Sequence, residues 1–215
     1  NHYRYFGPVG TSTHQALLTP PALPDEPAPY ATVGLALQAV RDGDVAAALV
    51  PIENSVEGGV SATLDNLTYG EPLRIIREVL LPVQFTLFAR QGTRIDEVRR
   101  VLTHPHAAAQ CRDWLASKLP QAIITEGGST AAAAAEVADP GSRFDAAICA
   151  QVAGELHGLT PLATGIADNP DAVTRFVLVS RPAPVGPATG ADKTTMVLFM
   201  RDDHPGALLE ILEQF

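Results

Sequence analysis

The sequence is poor in the residues that several common classes of function require. Only 2 of its 215 residues are cysteines, Cys111 and Cys149. They stand in apolar surroundings without Cys-x-x-Cys spacing, so we predict reduced core thiols rather than a disulfide or a zinc site. No stretch approaches the roughly 20 consecutive apolar residues of a membrane span. The first residues, Tyr3 to Gly7, are typical of a strand rather than a signal peptide, and we expect a cytoplasmic protein.

Positive charge is also scarce, with 15 Lys and Arg against 24 Asp and Glu and a net charge of −9. Without a basic run, a nucleic-acid partner is disfavoured, because phosphate contacts need clustered cations. A small carboxylate remains a possible ligand, since helix N-termini offer free N–H groups and partial positive charge.

Motifs that bind cofactors or metals are absent as well. The sequence has no P-loop or nucleophile elbow, and Gly7-Pro8-Val9-Gly10 lacks the spacing of a dinucleotide fingerprint. His104 and His106 have no third ligand at a telling distance, so we predict no metal. The sequence therefore predicts chemistry without a cofactor.

Short apolar runs alternate with Ala- and Leu-rich amphipathic segments, which is typical of an α/β fold. The predicted strands are Tyr3 to Phe6, Val45 to Val50, Leu73 to Leu80, Gln84 to Ala89, Val101 to Thr103, Ala122 to Thr125, Ala146 to Cys149 and Arg175 to Ser180. The predicted helices are Thr13 to Leu18, Thr32 to Arg41, Ser61 to Leu67, Pro105 to Lys118, Thr130 to Ala138 and Ala150 to Leu156.

Two proline-rich stretches interrupt this pattern. Thr19 to Tyr30 holds five prolines and predicts a surface excursion, whereas Pro182 to Asp192 has the composition of an interdomain linker. Beyond it we predict a strand at Thr194 to Met200 and a helix at Ala207 to Phe215. A unit of about 23 residues cannot bury a core of its own. It is therefore either the first βα unit of a further domain or a segment that docks elsewhere.

Four predicted loops share one design, in which a strand ends, small polar residues follow and a helix begins. The loops are Gly7 to Thr13, Pro51 to Gly59, Thr103 to His106 and Gly127 to Thr130. At the carboxyl ends of parallel strands such loops converge on one crevice. The alternative for any single loop is a helix N-cap worth about 1 kcal/mol.

The tripeptide Thr174-Arg175-Phe176 lies between a turn and an apolar strand. It offers a hydrogen-bond donor, an anion partner and an aromatic wall. On a regular strand Thr174 and Phe176 share one face and Arg175 takes the other. A structural ion pair and a ligand contact are therefore both open for Arg175.

Taken in order, five blocks of the sequence resemble the signature blocks of the prephenate dehydratase family. They are Gly7-Pro8-Val9-Gly10-Thr11-Ser12-Thr13, Pro51-Ile52-Glu53-Asn54-Ser55, Thr103-His104-Pro105 with Gln110-Cys111, Ser129-Thr130-Ala131-Ala132 and Thr174-Arg175-Phe176. The tail resembles the start of an ACT domain, in which Gly206-Ala207-Leu208 matches a phenylalanine-binding motif. Ser12 stands where the family commonly has an aromatic residue, and the second ACT signature, Glu-Ser-Arg-Pro, is missing.

The resemblance implies an α/β catalytic domain of two lobes, similar to type II periplasmic binding proteins, with the active site between them. The first βα unit of an α+β ACT domain would follow. The catalytic domain would span residues 1–182, with lobe one at about 1–81 plus 171–182 and lobe two at about 82–170. Residues 183–192 would be the linker and 193–215 a truncated ACT domain.

The resemblance also implies a lyase that converts prephenate to phenylpyruvate, CO2 and water in phenylalanine biosynthesis, with Thr174 as the catalytic residue. Substrate would be bound by Thr11, Thr13, Glu53, Asn54, Ser55, Thr103, Gln110, Ser129, Thr130, Arg175 and Phe176. L-Phenylalanine would regulate through Gly206, Ala207 and Leu208 of a homodimer or homotetramer, without metal or cofactor. Arogenate dehydratase and a non-catalytic small-molecule-binding protein are the alternatives.

Overall fold

The computed structural model describes residues 3–18 and 28–215. The chain divides into two compact units, Asn1–Ala183 and Pro184–Phe215. The first nine residues of the excursion predicted for Thr19 to Tyr30 lie outside the described residues. Its last three, Ala28–Tyr30, form an edge strand, because proline is tolerated where a strand pairs on one side only.

The first unit contains two sheets, each with its own hydrophobic core, and the predicted two-lobed α/β architecture is confirmed. Among the described residues, lobe one holds six strands in the order β2-β1-β3-β11-β5, with β4 paired to β3. Its strands are β1 (Tyr3–Phe6), β2 (Ala28–Tyr30), β3 (Ala47–Asn54), β4 (Gly58–Gly59), β5 (Arg74–Pro82) and β11 (Val173–Ser180). Its helices are α1 (Ser12–Leu17), α2 (Val33–Asp42) and α3 (Ser61–Tyr69).

Helix α2 shows how the sequence determines local structure in lobe one. The Thr32 side chain caps its first turn by accepting from the Leu35 N–H, and Gly43 ends it at φ +83°, a left-handed conformation that favours glycine. Its apolar face, which includes Leu37 and Val40, packs in one cluster with Val177 of β11.

Lobe two holds five strands in the order β10-β6-β9-β7-β8. Its strands are β6 (Thr86–Ala89), β7 (Arg100–Thr103), β8 (Ile123–Glu126), β9 (Ala146–Cys149) and β10 (Thr160–Ala163). Its helices are α4 (Pro105–Gln110), α5 (Arg112–Lys118), α6 (Thr130–Ala138) and α7 (Gln151–Leu156), and a single 3-10 turn spans Ile95–Glu97. Residues of β9, α6 and α7 form a second core cluster in lobe two. The buried alanines of α6 belong to this cluster.

The single helix predicted for Pro105 to Lys118 is wrong, because the chain breaks it at Cys111. Cys111 leaves the helical region at φ −120° and ψ 15°. The Asp168 carboxylate then accepts from the N–H groups of Asp113 and Trp114 at 3.0 and 3.1 Å, which caps a new helix. A cap from a residue 55 positions away leaves no local signal in the sequence.

In the second unit the strand predicted for Thr194 to Met200 is not formed. A strand needs a paired neighbour to satisfy its backbone groups, and no strand among the described residues pairs with this segment. Helix α8 (Ala207–Leu212) begins after Gly206, as predicted, but ends before Phe215. Among the helices of residues 3–18 and 28–215, none has the length and apolar content to cross a membrane.

Candidate active site

Strand β11 places Thr174 beside the last residue of β3. The two strands are antiparallel, and Thr174 is registered opposite Asn54. The start of β11 therefore lies at the edge of the sheet where β3 ends. Since β1 runs parallel to β3, the loop after β1 emerges at the same edge. Three segments far apart in the sequence meet at this edge.

The Asn54 side chain is held in one orientation by its neighbours. Its carbonyl oxygen accepts from the backbone N–H groups of Val56 and Glu57 at 2.8 and 3.2 Å. The amide nitrogen must then face Thr174, and it donates to the threonine Oγ1 at 2.8 Å. Because this bond occupies an oxygen lone pair, the Thr174 hydroxyl hydrogen is left to donate to a further acceptor.

Loops of the two lobes face each other across a cleft. A Cβ on Gly10, in the loop after β1, would lie 3.5 Å from Ala131 at the start of α6 and 3.4 Å from the Ala153 backbone in α7. In the loop after β3, Glu57 reaches α4 of lobe two. The loop after β1 thus lies against α6 and α7, and the loop after β3 lies against α4.

Several hydroxyl groups at the cleft keep a hydrogen available for donation. Ser55 Oγ accepts from the Val173 N–H at 2.9 Å, and Ser129 Oγ accepts from the Ala132 N–H at 3.0 Å as the cap of α6. Thr130 is the first residue of α6 and is half-buried. Thr11 differs, because its hydroxyl donates to the Pro8 carbonyl at 2.9 Å within its own loop.

Three of the residues predicted to bind substrate lie inside the lobes rather than at the cleft surface. Thr13 lies on the buried face of α1, and Phe176 packs in the core of lobe one with Tyr5. Thr103 is fully buried, and its hydroxyl donates to the Ile148 carbonyl at 2.8 Å. The sequence pattern did not indicate that these three side chains are buried.

Arg175 occupies the opposite face of β11 from Thr174. Its Nε donates to Glu78 Oε2 at 2.6 Å, and its guanidinium lies 3.7 Å from Glu53. Of the two possibilities open from the sequence, the structure contains the ion pair. Glu53 therefore pairs with Arg175, whereas its neighbour Asn54 bonds to Thr174.

Glu57 and His14 have roles that the sequence did not indicate. Glu57 precedes two glycines, which predicts a solvated loop residue. Its Oε1 nevertheless lies 2.5 Å from His106 Nδ1 and 3.3 Å from Gln110 Nε2. His14 stacks on Tyr5 with ring centroids 5.5 Å apart, and its Nδ1 accepts from the Gly10 N–H at 3.2 Å.

The cysteines do not offer a nucleophile to this site. Both are free and buried, as predicted. Burial raises the pKa of the Cys111 thiol to about 12, with a further contribution from Asp168, and burial likewise raises the pKa of Cys149 to about 12. Within the described ranges no group of three His, Cys, Asp or Glu side chains is arranged to hold a metal.

A separate depression of about 320 Å³ lies between α4, α5 and the edge strand β8. Its lining is mainly alanine, leucine and isoleucine, with Arg112 and Glu126 as its charged groups. Thr174 and Asn54 do not line it, so it is distinct from the polar cleft.

The fold and the site together define a two-lobed α/β protein with hydroxyl and amide groups gathered where loops of one lobe meet the other. A family model for prephenate dehydratase matches residues 3–184. The chain therefore belongs to the prephenate dehydratase family, whose reaction is the decarboxylation and dehydration of prephenate, and it is a lyase.

Individual relatives agree with this assignment. Prephenate dehydratase from Amycolatopsis methanolica is 50% identical over 211 residues, which cover 98% of this chain and 68% of that protein. Prephenate dehydratase from Mycobacteroides abscessus is 44% identical, with 98% and 70% covered. The crystal structure of prephenate dehydratase in complex with L-Phe from Arthrobacter aurescens has a TM-score of 0.91 and 52% identity, and the match covers 100% of this chain and 71% of that one.

The site makes a prediction about His14. Burial lowers the pKa of His14 below 6.5, and protonation of Nδ1 would remove its bond to Gly10. A histidine whose pKa is lowered by folding stabilises the fold fully above its unfolded pKa and loses that contribution as the pH falls through its folded pKa. We expect the His14 ring to titrate with a midpoint below 6.5 in an NMR titration.

The variant His14→Phe provides the control, because it keeps a ring for stacking on Tyr5 and removes the titration. Its free energy of unfolding should depend less on pH below 6.5 than that of the parent protein. A His14 midpoint at or above 6.5 would contradict the burial argument.

Proposed function

We propose that Thr174 donates a hydrogen bond to the C4 hydroxyl of prephenate as that group leaves. The observation that carries this proposal is the 2.8 Å bond from Asn54 Nδ2 to Thr174 Oγ1, which directs the hydroxyl hydrogen away from Asn54. In the reaction, the carbon–carbon bond to the ring carboxylate breaks and CO2 leaves. Its electron pair aromatises the ring and expels the C4 oxygen, which departs as water after gaining a proton.

Departure of hydroxide is the difficult part of this reaction, and Thr174 acts on it by electrostatic stabilisation. A threonine hydroxyl is too weak an acid to transfer a full proton unaided. A donor that is already oriented costs no reorganisation while negative charge grows on the leaving oxygen. The Asn54 amide, fixed by two backbone N–H groups, supplies that orientation.

The two substrate carboxylates would be held mainly by neutral donors. Ser55 and Ser129 keep their hydroxyl hydrogens available, and Asn54 has a second amide hydrogen. The N-terminus of α6, which has nine residues, adds free N–H groups and partial positive charge near Ser129 and Thr130. The Arg175 ion pair supports a structural role for its guanidinium instead.

Gln110 offers an acceptor to the same ligand. Its Nε2 donates to the Glu57 carboxylate, so Oε1 is turned the other way. This Oε1 is buried and has no hydrogen-bond partner among the described residues, which suits a donor such as the substrate hydroxyl. Thr103 contributes indirectly by tying the end of β7 to β9.

The first experiment separates prephenate dehydratase from the two alternatives. The full chain is incubated with prephenate, and phenylpyruvate is followed by its absorbance in alkali, while a parallel reaction with arogenate is analysed for phenylalanine. We expect turnover with prephenate. Faster turnover of arogenate would favour arogenate dehydratase, and turnover of neither substrate by a folded chain would favour a binding protein.

The second experiment tests Thr174. Loss of one oriented donor typically costs about 10² to 10³ in rate, so Thr174→Ala should lower kcat by at least that range with little change in KM. Thr174→Ser keeps the hydroxyl and should retain most of the activity. Asn54→Asp should also lower kcat, because a carboxylate would draw the Thr174 hydrogen to itself. Near-normal kcat for Thr174→Ala would remove Thr174 from the mechanism.

We also propose L-phenylalanine as a ligand of the second unit, at Gly206, Ala207 and Leu208. Support comes from the Arthrobacter aurescens relative, which was crystallised with L-Phe. Gly206 caps α8 at φ +96°, where a side chain is strained, and His204 Nε2 lies 3.1 Å from Glu210 Oε1 nearby. A homodimer or homotetramer, a truncated ACT domain at 193–215 and a cytoplasmic location remain predictions.

Calorimetric titration of the full chain with L-phenylalanine tests this site. We expect saturable binding, and weaker binding by Gly206→Ala, because alanine disfavours the left-handed cap. D-Phenylalanine is the control ligand. Binding that is unchanged in Gly206→Ala would place the phenylalanine site elsewhere.

A further inference from the structure

Glu57 connects the two lobes. It lies in the loop after β3 of lobe one, and its Oε1 accepts from two side chains of α4 in lobe two, His106 Nδ1 at 2.5 Å and Gln110 Nε2 at 3.3 Å. Because an ionised carboxylate only accepts, the nitrogen of each partner must carry the hydrogen. The contact therefore determines the orientation of the Gln110 amide and the position of α4 next to the loop after β3.

The same residue is bonded to the catalytic pair through its backbone. The Glu57 N–H donates to Asn54 Oδ1 at 3.2 Å, and Asn54 Nδ2 donates to Thr174 Oγ1 at 2.8 Å. A continuous series of hydrogen bonds thus runs from Thr174 in β11, through Asn54 and Glu57, to Gln110 in the other lobe. The Glu57 side chain makes the part of this series that crosses between the lobes. The Glu57 N–H, Asn54 and Thr174 make the part within lobe one.

We propose that Glu57 is a positioning residue that couples contact between the lobes to the orientation of Thr174 and Gln110. This inference rests on the proposed function of Thr174. When the Glu57 carboxylate holds α4 through Gln110 Nε2, the buried Gln110 Oε1 is turned away from it, and the loop that orients Asn54 is fixed at its far end. The donor and the acceptor proposed for the substrate hydroxyl are then set by one side chain.

The exposure of the contact limits the size of its effect. The side chains of Glu57 and His106 are 37% and 59% exposed, and an ion pair so exposed contributes little. A weak contact is what a cleft requires if substrate is to enter and product to leave on each turnover. We therefore expect removal of the carboxylate to lower kcat/KM about fivefold, the upper end for one exposed pair.

The test uses the full chain and four variants, namely Glu57→Ala, Glu57→Gln, His106→Ala and the double variant Glu57→Ala with His106→Ala. Glu57→Ala keeps the backbone N–H that binds Asn54, so its effect reports the side chain alone. Glu57→Gln retains an oxygen acceptor and should lose less. Glu71→Ala, which removes an exposed carboxylate of the same lobe, is the matched control.

The expected results separate a positioning role from a merely structural one. Glu57→Ala should lower kcat more than it raises KM, and the double variant should be no worse than Glu57→Ala, because both changes break one contact. The thermal unfolding midpoint should stay close to that of Glu71→Ala. Equal kcat/KM in Glu57→Ala and Glu71→Ala, or fully additive effects in the double variant, would overturn the proposal.

A distance measurement tests the contact without catalysis. Leu35 in lobe one and Ile123 in lobe two are exposed, and spin labels at these positions report the separation of the lobes. Glu57→Ala should broaden or shift the distance distribution, whereas Glu71→Ala should not. An unchanged distance distribution would overturn the proposal that Glu57 couples the lobes. If the parent protein fails to turn over prephenate, the proposed function is wrong. The distance measurement still tests whether Glu57 holds the two lobes together.

Discussion

The insertion of β11 between β3 and β5 is the constraint on which the rest of the structure depends. The strand has neighbours on both sides and is buried on both faces, with Phe176 and Leu178 in one core cluster and Val177 and Val179 in another. Each such side chain contributes about 1.5 to 3 kcal/mol on burial. A slip of one residue would exchange the two faces. The position of Thr174 is therefore set by the packing of the four buried residues at 176–179.

Net negative charge imposes a second constraint on a protein whose substrate is an anion. The cationic side chain next to Thr174, Arg175, is engaged by Glu78 and approached by Glu53. Oriented hydroxyl, amide and backbone groups remain to meet the substrate carboxylates, and hydrogen bonds to charged groups are worth about 1.5 to 3 kcal/mol each. Under the proposed function, a few such bonds are enough to bind the substrate, and the single carboxylate left in the product departs without breaking an ion pair.

Periodicity and turn chemistry were sufficient to predict most strands, since these depend on local alternation, whereas the two lobes were implied by the family resemblance. Which side chains are buried near the strand ends was beyond such patterns. Thr103 ends its strand as predicted and Phe176 lies within β11, but their burial depends on β9 and on the core of lobe one. The break at Cys111 depends on Asp168, and Glu57 finds its partners on another lobe. Contacts between residues about 50 positions apart leave no periodic trace in a single sequence.

Contacts within a lobe differ in strength from contacts across the cleft. Within lobe one, β-sheet pairing and buried side chains hold Thr174 and Asn54 together permanently. At the crossing between lobes, the Val83 N–H donates to the Ala172 carbonyl at 2.7 Å, which ties the outgoing and returning segments to each other. Across the cleft, by contrast, the polar contacts of Glu57 are exposed and weak. The donor proposed for the reaction is therefore oriented within one lobe, and the contact between the lobes adds only a weak interaction to it.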